Sequence, residues 1–104
     1  MFVREKRSKN AAEVHGIYWA EYNGRIQRFH LIVPEDEYPG FLSVPEADCD
    51  VVDPSMNGLV LAKDTRGKDA FLHPVLLDSD LLNQLIEHEE GAMDRFLLAK
   101  KAMA

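Results

Sequence analysis

The sequence has little of the material from which disulfide-linked or membrane-spanning proteins are built. Among its 104 residues there is one cysteine, Cys49, which excludes an intramolecular disulfide framework and is typical of a reducing compartment. No apolar run approaches the ~20 residues that a membrane helix needs. No apolar segment follows the basic N-terminal residues, as it would in a secretory signal. We therefore expect a cytoplasmic protein that makes no contact with a membrane.

Signatures of catalysis are also missing. Gly58 and Gly67 are isolated turn glycines without the spacing of a phosphate loop, and no serine occupies a nucleophile elbow. His88 does not start a zinc-protease motif, because the position four residues later is Ala92. Carboxylates on both sides of Cys49 disfavour the thiolate that a nucleophile needs. The sequence therefore predicts a protein that is not an enzyme and that carries no cofactor and no metal ion.

The charge of the chain is unevenly distributed. The formal net charge is −6. Four basic residues and one acidic residue give the first ten positions a charge of +3, so the other 94 residues sum to −9. An acidic body makes direct nucleic-acid binding unfavourable and attracts basic partners. The length predicts a single domain over residues 1–104, with a partly disordered basic N-terminus over residues 1–12. The alternative for this segment is a short extended stretch that Phe2 and Val3 hold to a sheet edge.

Two β-rich runs meet at Asn23-Gly24, which is the strongest short-range signal for a hairpin. Both central residues of a type I′ turn need a positive φ, which glycine adopts freely and asparagine more readily than most residues. This turn fixes a register over residues 14–33. The predicted pairs are Tyr22 with Arg25, Glu21 with Ile26, Trp19 with Arg28, Ile17 with His30, and His15 with Ile32.

Alternation of side chains divides this hairpin into two faces. One face is apolar away from the turn and is predicted to be core: Val14, Gly16, Tyr18, Ala20, Phe29, Leu31 and Val33. The other face also carries His15 and mixes apolar, aromatic and charged residues. Because tryptophan and arginine are enriched at binding hot spots, this mixed face is a candidate contact surface. The predicted partner-binding residues on it are Ile17, Trp19, Glu21, Ile26, Arg28, His30 and Ile32. The alternative is a sheet covered on both sides, with Trp19 half-buried.

Four shorter segments downstream are predicted to be strands. Residues 41–44 form the first, and the stretch around Cys49, Val51 and Val52 forms the second. Residues 59–63 and 69–73 are predicted to make a second hairpin, with Gly67 at the left-handed bulge position of its loop. Its predicted pairs are Lys63 with Asp69, Leu61 with Phe71, and Val60 with Leu72. Apolar residues on both of its faces predict a central, largely buried pair.

From Ser79 onward the apolar period changes from two to about 3.6, which is typical of an amphipathic helix. Asp78 or Ser79 is suited to cap this helix. Gly91 lies inside the run and costs up to ~1 kcal/mol relative to alanine, so one bent helix or two helices are possible, and we favour one. The sequence thus predicts the α+β class: a predominantly antiparallel sheet or small open barrel of about five short strands with a C-terminal amphipathic helix.

Three functional hypotheses follow. The first is a non-catalytic protein-binding module, such as an inhibitor, immunity-type or adaptor protein. It would bind another protein, or a second copy of itself as a homodimer, through the mixed face of the 14–33 hairpin. The second is a small-ligand- or metal-binding protein that uses His15 and His30. The third is an acidic mimic of nucleic acid, built on the carboxylates of residues 35–37, 46–53, 78–80 and 87–94.

Overall fold

Seven strands and two helices make up the residues that the computed structural model describes, 1–103. The strands are β1 (Phe2–Glu5), β2 (Ala12–Tyr22), β3 (Arg25–Ile32), β4 (Leu42–Pro45), β5 (Cys49–Asp53), β6 (Val60–Lys63) and β7 (Asp69–Leu72). The helices are α1 (Ser79–Ile86) and α2 (Ala92–Met103), and short 3-10 turns cover Glu46–Asp48 and Pro74–Leu77. All strand pairs are antiparallel. The predicted α+β class is confirmed, with seven strands in place of about five.

The hairpin of β2 and β3 forms around the predicted turn. Asn23 and Gly24 have φ values of 53° and 76°, the positive values that a type I′ turn requires. The four predicted pairs from the turn to Ile17 and His30 are all present. Local turn chemistry is therefore enough to set the register of this half of the hairpin.

A β-bulge changes the register beyond Gly16. Val14 pairs with Ile32 and Gly16 pairs with Leu31, so His15 is an extra residue in β2 and the predicted pair of His15 with Ile32 is wrong. An extra residue reverses which side of the sheet the preceding side chains face. Val14 accordingly packs beside Ile17 and Ile32, and not on the face of Gly16 as predicted.

Both faces of the sheet around this bulge are covered. The two helices pack on one face and form a cluster of buried residues: Leu31, Phe41, Ala70, Leu72, Leu76, Leu81, Leu82, Leu85, Ala92 and Phe96. On the other face the sheet encloses a second cluster: Met1, Val3, Val14, Ile17, Ile32, Val44 and Cys49. The mixed face of the hairpin is therefore core at the end far from its turn.

The second cluster is enclosed because the sheet curls into a small open barrel. Its strand order is β4-β3-β2-β1-β5, so β4 and β5 are the outer strands. In a flat five-stranded sheet the outer strands would be roughly 19 Å apart. Here one 3-10 turn joins them, and the Sγ atom of Cys49 lies 3.8 Å from the carbonyl oxygen of Pro45.

Strand β1 lies within the N-terminal segment that we predicted to be partly disordered. Val3 pairs with Ala12 of β2 and with Val51 of β5, and its side chain is completely buried. β1 is therefore an inner strand of the barrel, although the sequence places this stretch among charged residues.

The hairpin of β6 and β7 has the predicted register and turn. Lys63 pairs with Asp69 and Leu61 pairs with Phe71, and Gly67 has a φ of 79°. The prediction that this pair is central and largely buried is wrong for β6. Among the strands of residues 1–103, β6 pairs with β7 alone, and Leu61 is 67% exposed.

The predicted single C-terminal helix is wrong, because the chain breaks between α1 and α2. His88 and Gly91 have φ values of 57° and 80°, which an α-helix cannot accommodate. The carbonyl oxygen of Leu85 accepts a hydrogen bond from the backbone N–H of Phe41 (3.0 Å), which ties the end of α1 to the sheet. Asp78 caps α1, as expected, by accepting hydrogen bonds from Asp80 N and Leu81 N at 3.1 and 3.3 Å. Within residues 1–103 no helix is long and apolar enough to cross a membrane.

The close approach of the sheet to the end of α1 predicts a strong effect of Gly40→Ala. A Cβ atom at position 40 would overlap the carbonyl oxygen of Leu85 and lie 2.6 Å from Cδ2 of His88. We expect the free energy of unfolding to fall by about 2–3 kcal/mol, measured by urea denaturation. Gly24→Ala is the control. A Cβ atom at position 24 would meet nothing within 4 Å and would only strain a positive φ. Gly24→Ala should therefore lower the free energy of unfolding by about 1 kcal/mol. Equal costs for the two variants would contradict this account of the contact.

Candidate functional site

The structure divides the seven predicted partner-binding residues into two groups. Ile17, His30 and Ile32 are buried inside the barrel, with at most 1% of their surface exposed. Their predicted place on a contact surface is corrected, because curling of the sheet encloses them. The other four lie at the turn end of the hairpin, beyond the enclosed part, and keep accessible surface: Trp19, Glu21, Ile26 and Arg28.

An apolar surface at this end extends from β3 across β2 and β7 to β6, and we call it the Trp19 patch: Trp19, Ile26, Leu61 and Phe71. Phe71 pairs with Ile17 on one side and Leu61 on the other, so all three side chains share one face of the sheet. The rings of Trp19 and Phe71 meet edge to face with centroids 6.2 Å apart. Trp19, Leu61 and Ile26 are 38%, 67% and 71% exposed.

Two ion pairs border the Trp19 patch. Nε of Arg28 lies 3.5 Å from Oε2 of Glu46. Nζ of Lys63 lies 2.5 Å from Oδ1 of Asp69. An apolar centre with a charged rim is the usual arrangement of a protein-binding surface.

Strand β6, which carries Leu61, is a four-residue edge strand with no proline and a single charged side chain. Proteins block exposed edges with proline or with charged side chains. Pro45 lies in the outer strand β4, and Asp50 and Asp53 lie in the outer strand β5. Strand β6 has the sequence VLAK, and its one charged residue is already paired with Asp69.

The backbone of β6 offers hydrogen-bonding groups on its open side. Asp64 N donates to Lys68 O at 2.8 Å, so this pair at the turn is hydrogen-bonded. Because bonded and non-bonded pairs alternate along an antiparallel ladder, Ala62 bonds to β7, and the N–H and C=O groups of Leu61 and Lys63 point away from it. An incoming extended segment could therefore pair with the N–H and C=O groups of both Leu61 and Lys63.

The predicted histidine pair does not form, because the bulge places the two residues in different cores. The ring of His15 stacks on Phe41 and meets Phe96 edge to face, with centroid distances of 5.6 and 5.2 Å. Nδ1 of His30 lies 3.4 Å from Sγ of Cys49 inside the barrel. Within residues 1–103 no group of three histidine, cysteine, aspartate or glutamate side chains is placed to hold a metal ion.

The contact between Cys49 and His30 is one that local sequence patterns did not indicate, since 19 positions separate the two residues. Burial raises the pKa of the Cys49 thiol, and the neighbouring carboxylates of Asp50, Asp48 and Glu46 add to this effect against the opposing charge of Arg28. Burial and the charge of Arg28 lower the pKa of His30. Both groups are therefore neutral at pH 7, which suits a packed core and not a nucleophile.

His15 belongs to a second group of titratable side chains, at the start of β2. Nζ of Lys100 in α2 donates to Oε1 of Glu13 at 2.5 Å. The same carboxylate oxygen lies 3.8 Å from Nδ1 of His15. Burial, helped by the charge of Lys100, lowers the pKa of His15 to about 4. Burial alone would raise the pKa of Glu13, but its hydrogen bond and ion pair with Lys100 outweigh that effect and lower it.

Comparison of the chain with protein-family models, with curated proteins and with solved structures found no match.

The buried Cys49 predicts a slow thiol reaction. A thiol that is enclosed and neutral reacts only when the barrel opens. We expect the folded protein to react with a disulfide reagent at pH 8 about 100-fold more slowly than the same protein in urea. The rate of release of the coloured thiol measures this difference. A rate in the folded protein equal to that in urea would show that Cys49 is accessible.

The lowered pKa of His15 predicts that acid destabilises the fold. The unfolded chain binds a proton at His15 near its ordinary pKa of 6.5, whereas the folded protein does so only near pH 4. Stability from neutral His15 is therefore present above pH 6.5 and is lost as the pH falls towards 4. In His15→Phe the difference in unfolding free energy between pH 7 and pH 4 should shrink by about 3 kcal/mol. Urea denaturation at the two pH values measures it, and an unchanged difference would contradict the assignment.

Proposed function

We propose that this protein is a non-catalytic binding module, of the inhibitor, immunity or adaptor kind, that holds another protein at the Trp19 patch. One observation carries the proposal: the exposed aromatic and aliphatic side chains of the patch lie directly beside the open edge of β6. Contiguous exposed apolar surface next to a free strand edge is a common feature of protein-binding sites.

The proposed mode of binding is strand addition. An extended segment of the partner would pair with β6 through the outward N–H and C=O groups of Leu61 and Lys63. Main-chain hydrogen bonds would supply part of the affinity, and side chains that pack on Leu61 and Trp19 would supply specificity. Trp19 suits this role because a rigid aromatic side chain buries a large area at a small cost in conformational entropy.

Charge favours a different protein over a second copy. Two copies of a chain with a net charge of −6 repel each other. A neutral segment avoids this repulsion, and a basic segment is in addition attracted over distances of about a Debye length. A homodimer through the same edge is the competing outcome, and the solution mass of the purified protein separates the two.

The chain offers a matched pair of substitutions to test the site. Leu61 in β6 and Leu98 in α2 are the same residue type and are 67% and 70% exposed. Leu61→Asp places a charge on the Trp19 patch, and Leu98→Asp makes the same change away from it. We expect Leu61→Asp to weaken binding at least 100-fold, consistent with a hot-spot loss of about 3 kcal/mol, and Leu98→Asp to leave it within threefold.

The measurement has two stages. Quantitative affinity capture with the wild-type protein, Leu61→Asp, Leu98→Asp and Trp19→Ala selects proteins that depend on the patch. Hydrogen exchange of the reconstituted complex then shows whether the amides of Leu61 and Lys63 become protected. A partner that is lost with Leu61→Asp and protects these amides supports the proposal. A partner retained by both patch variants, or a wild-type dimer that Leu61→Asp dissociates, overturns it.

A further inference from the structure

A cavity of about 180 Å³ lies on the helix-covered face of the sheet, between the end of α1 and the loop that joins β6 to β7. Its apolar walls come from two layers of the fold, with Leu31 and Leu72 on the sheet and Leu82 and Ile86 on α1. The three leucines are at most 3% exposed, so the core itself bounds the cavity. Ile86 is 43% exposed, and the cavity opens to solvent beside it. Folded cores contain few spaces larger than a water molecule.

The loop that closes one side of the cavity is fastened to β2. Nη2 of Arg66 donates to the carbonyl oxygen of Trp19 and to Oδ2 of Asp64, both at 2.6 Å. The guanidinium lies over the ring of Tyr18, with Cζ 5.6 Å from the ring centroid. The same ring stacks on Phe29 at a centroid distance of 5.2 Å. The wall is therefore formed in advance of any ligand, which lowers the cost of binding.

The polar groups in the wall are largely used by the protein itself. The hydroxyl of Tyr18 is hydrogen-bonded to that of Ser43. The carboxylate of Asp64 accepts four hydrogen bonds within its own loop. The remaining polar residue, Thr65, is exposed. An ordered water needs two to four polar partners, so this cavity holds water poorly and favours an apolar occupant.

Asp64 decides the charge of that occupant. Burial would raise the pKa of Asp64, but hydrogen bonds from Arg66 and Lys68 outweigh this effect and lower it, so the group is a carboxylate at pH 7. It repels an organic anion. An organic cation gains little from it, because the carboxylate is already paired with Arg66. A neutral ligand avoids both costs.

We propose that this cavity binds a neutral molecule with a single aromatic ring, packed between Leu72 of the sheet and Leu82 of α1. An apolar cavity of about 150 Å³ is enough to hold benzene. Pockets for drug-sized ligands measure about 300–1,000 Å³, so a larger molecule or a peptide segment does not fit. Tyr18 gives the wall an aromatic ring, and aromatic pairs attract beyond their buried area. The Trp19 patch lies on the other face of the sheet, so failure of either proposal leaves the other standing.

The test compares toluene with benzoate and benzylamine, which are similar in size and differ in charge. Methyl NMR shifts are followed while the full-length protein is titrated with each compound. We expect saturable shifts at Leu72, Leu82 and Ile86 with toluene, and at least tenfold weaker binding of both charged compounds. Leu61 reports on the exposed Trp19 patch and should not shift. The absence of a saturable shift with toluene, an equal shift at Leu61, or a charged compound that binds as tightly as toluene would overturn the proposal.

Variants that fill or cover the cavity locate the ligand. Leu82→Phe places the larger side chain in the cavity and should weaken toluene binding at least tenfold. Leu98→Phe makes the same change on an exposed face of α2 and should leave it within twofold. Ile86→Trp covers the opening from a half-exposed position, which keeps the test decisive if Leu82→Phe does not fold, and should weaken binding about fivefold or more. Unchanged binding in folded Leu82→Phe or in Ile86→Trp, or an equal loss in Leu98→Phe, would overturn the proposed site.

Discussion

The structure depends on the extra residue at His15 in β2. An uninterrupted strand would place every second side chain on the same side of the sheet from end to end. The bulge lets Val14 enter the barrel beside Ile17, and it turns His15 towards Phe41 and Phe96 under the helices. One strand thus contributes to both cores.

The two ends of β2 have different surroundings. At its turn end, β2 leaves the enclosed barrel, and Trp19 meets Phe71 at the margin of the Trp19 patch. At its other end, Glu13 accepts a hydrogen bond from Lys100 of α2. The two side chains with nucleophilic or acid–base chemistry in the barrel, Cys49 and His30, are neutral and buried.

The features that could be predicted from the sequence are those that depend on neighbouring residues. Asn23-Gly24 and Gly67 set the registers of two hairpins, and Asp78 caps α1. The pairing of β2 with β7, which brings Phe71 and Leu61 to Trp19, joins distant segments and leaves no local signal. The helix break has a local signal in Gly91, whereas the hydrogen bond from Phe41 to the carbonyl of Leu85 joins distant segments. Burial of Ile17, His30 and Ile32 follows from closure of the barrel, which alternation along a single hairpin does not predict.

Closure of the barrel also bears on how fast the chain folds. The β2–β3 hairpin joins residues that are close in sequence, and such hairpins form in about 1–10 microseconds. Strand β1 is different, because its partner Val51 is almost half the chain away from Val3. Long-range pairing of this kind raises the contact order and slows folding. Refolding should therefore be limited by the return of β5 to β1, and until that step both strands present open edges to other chains.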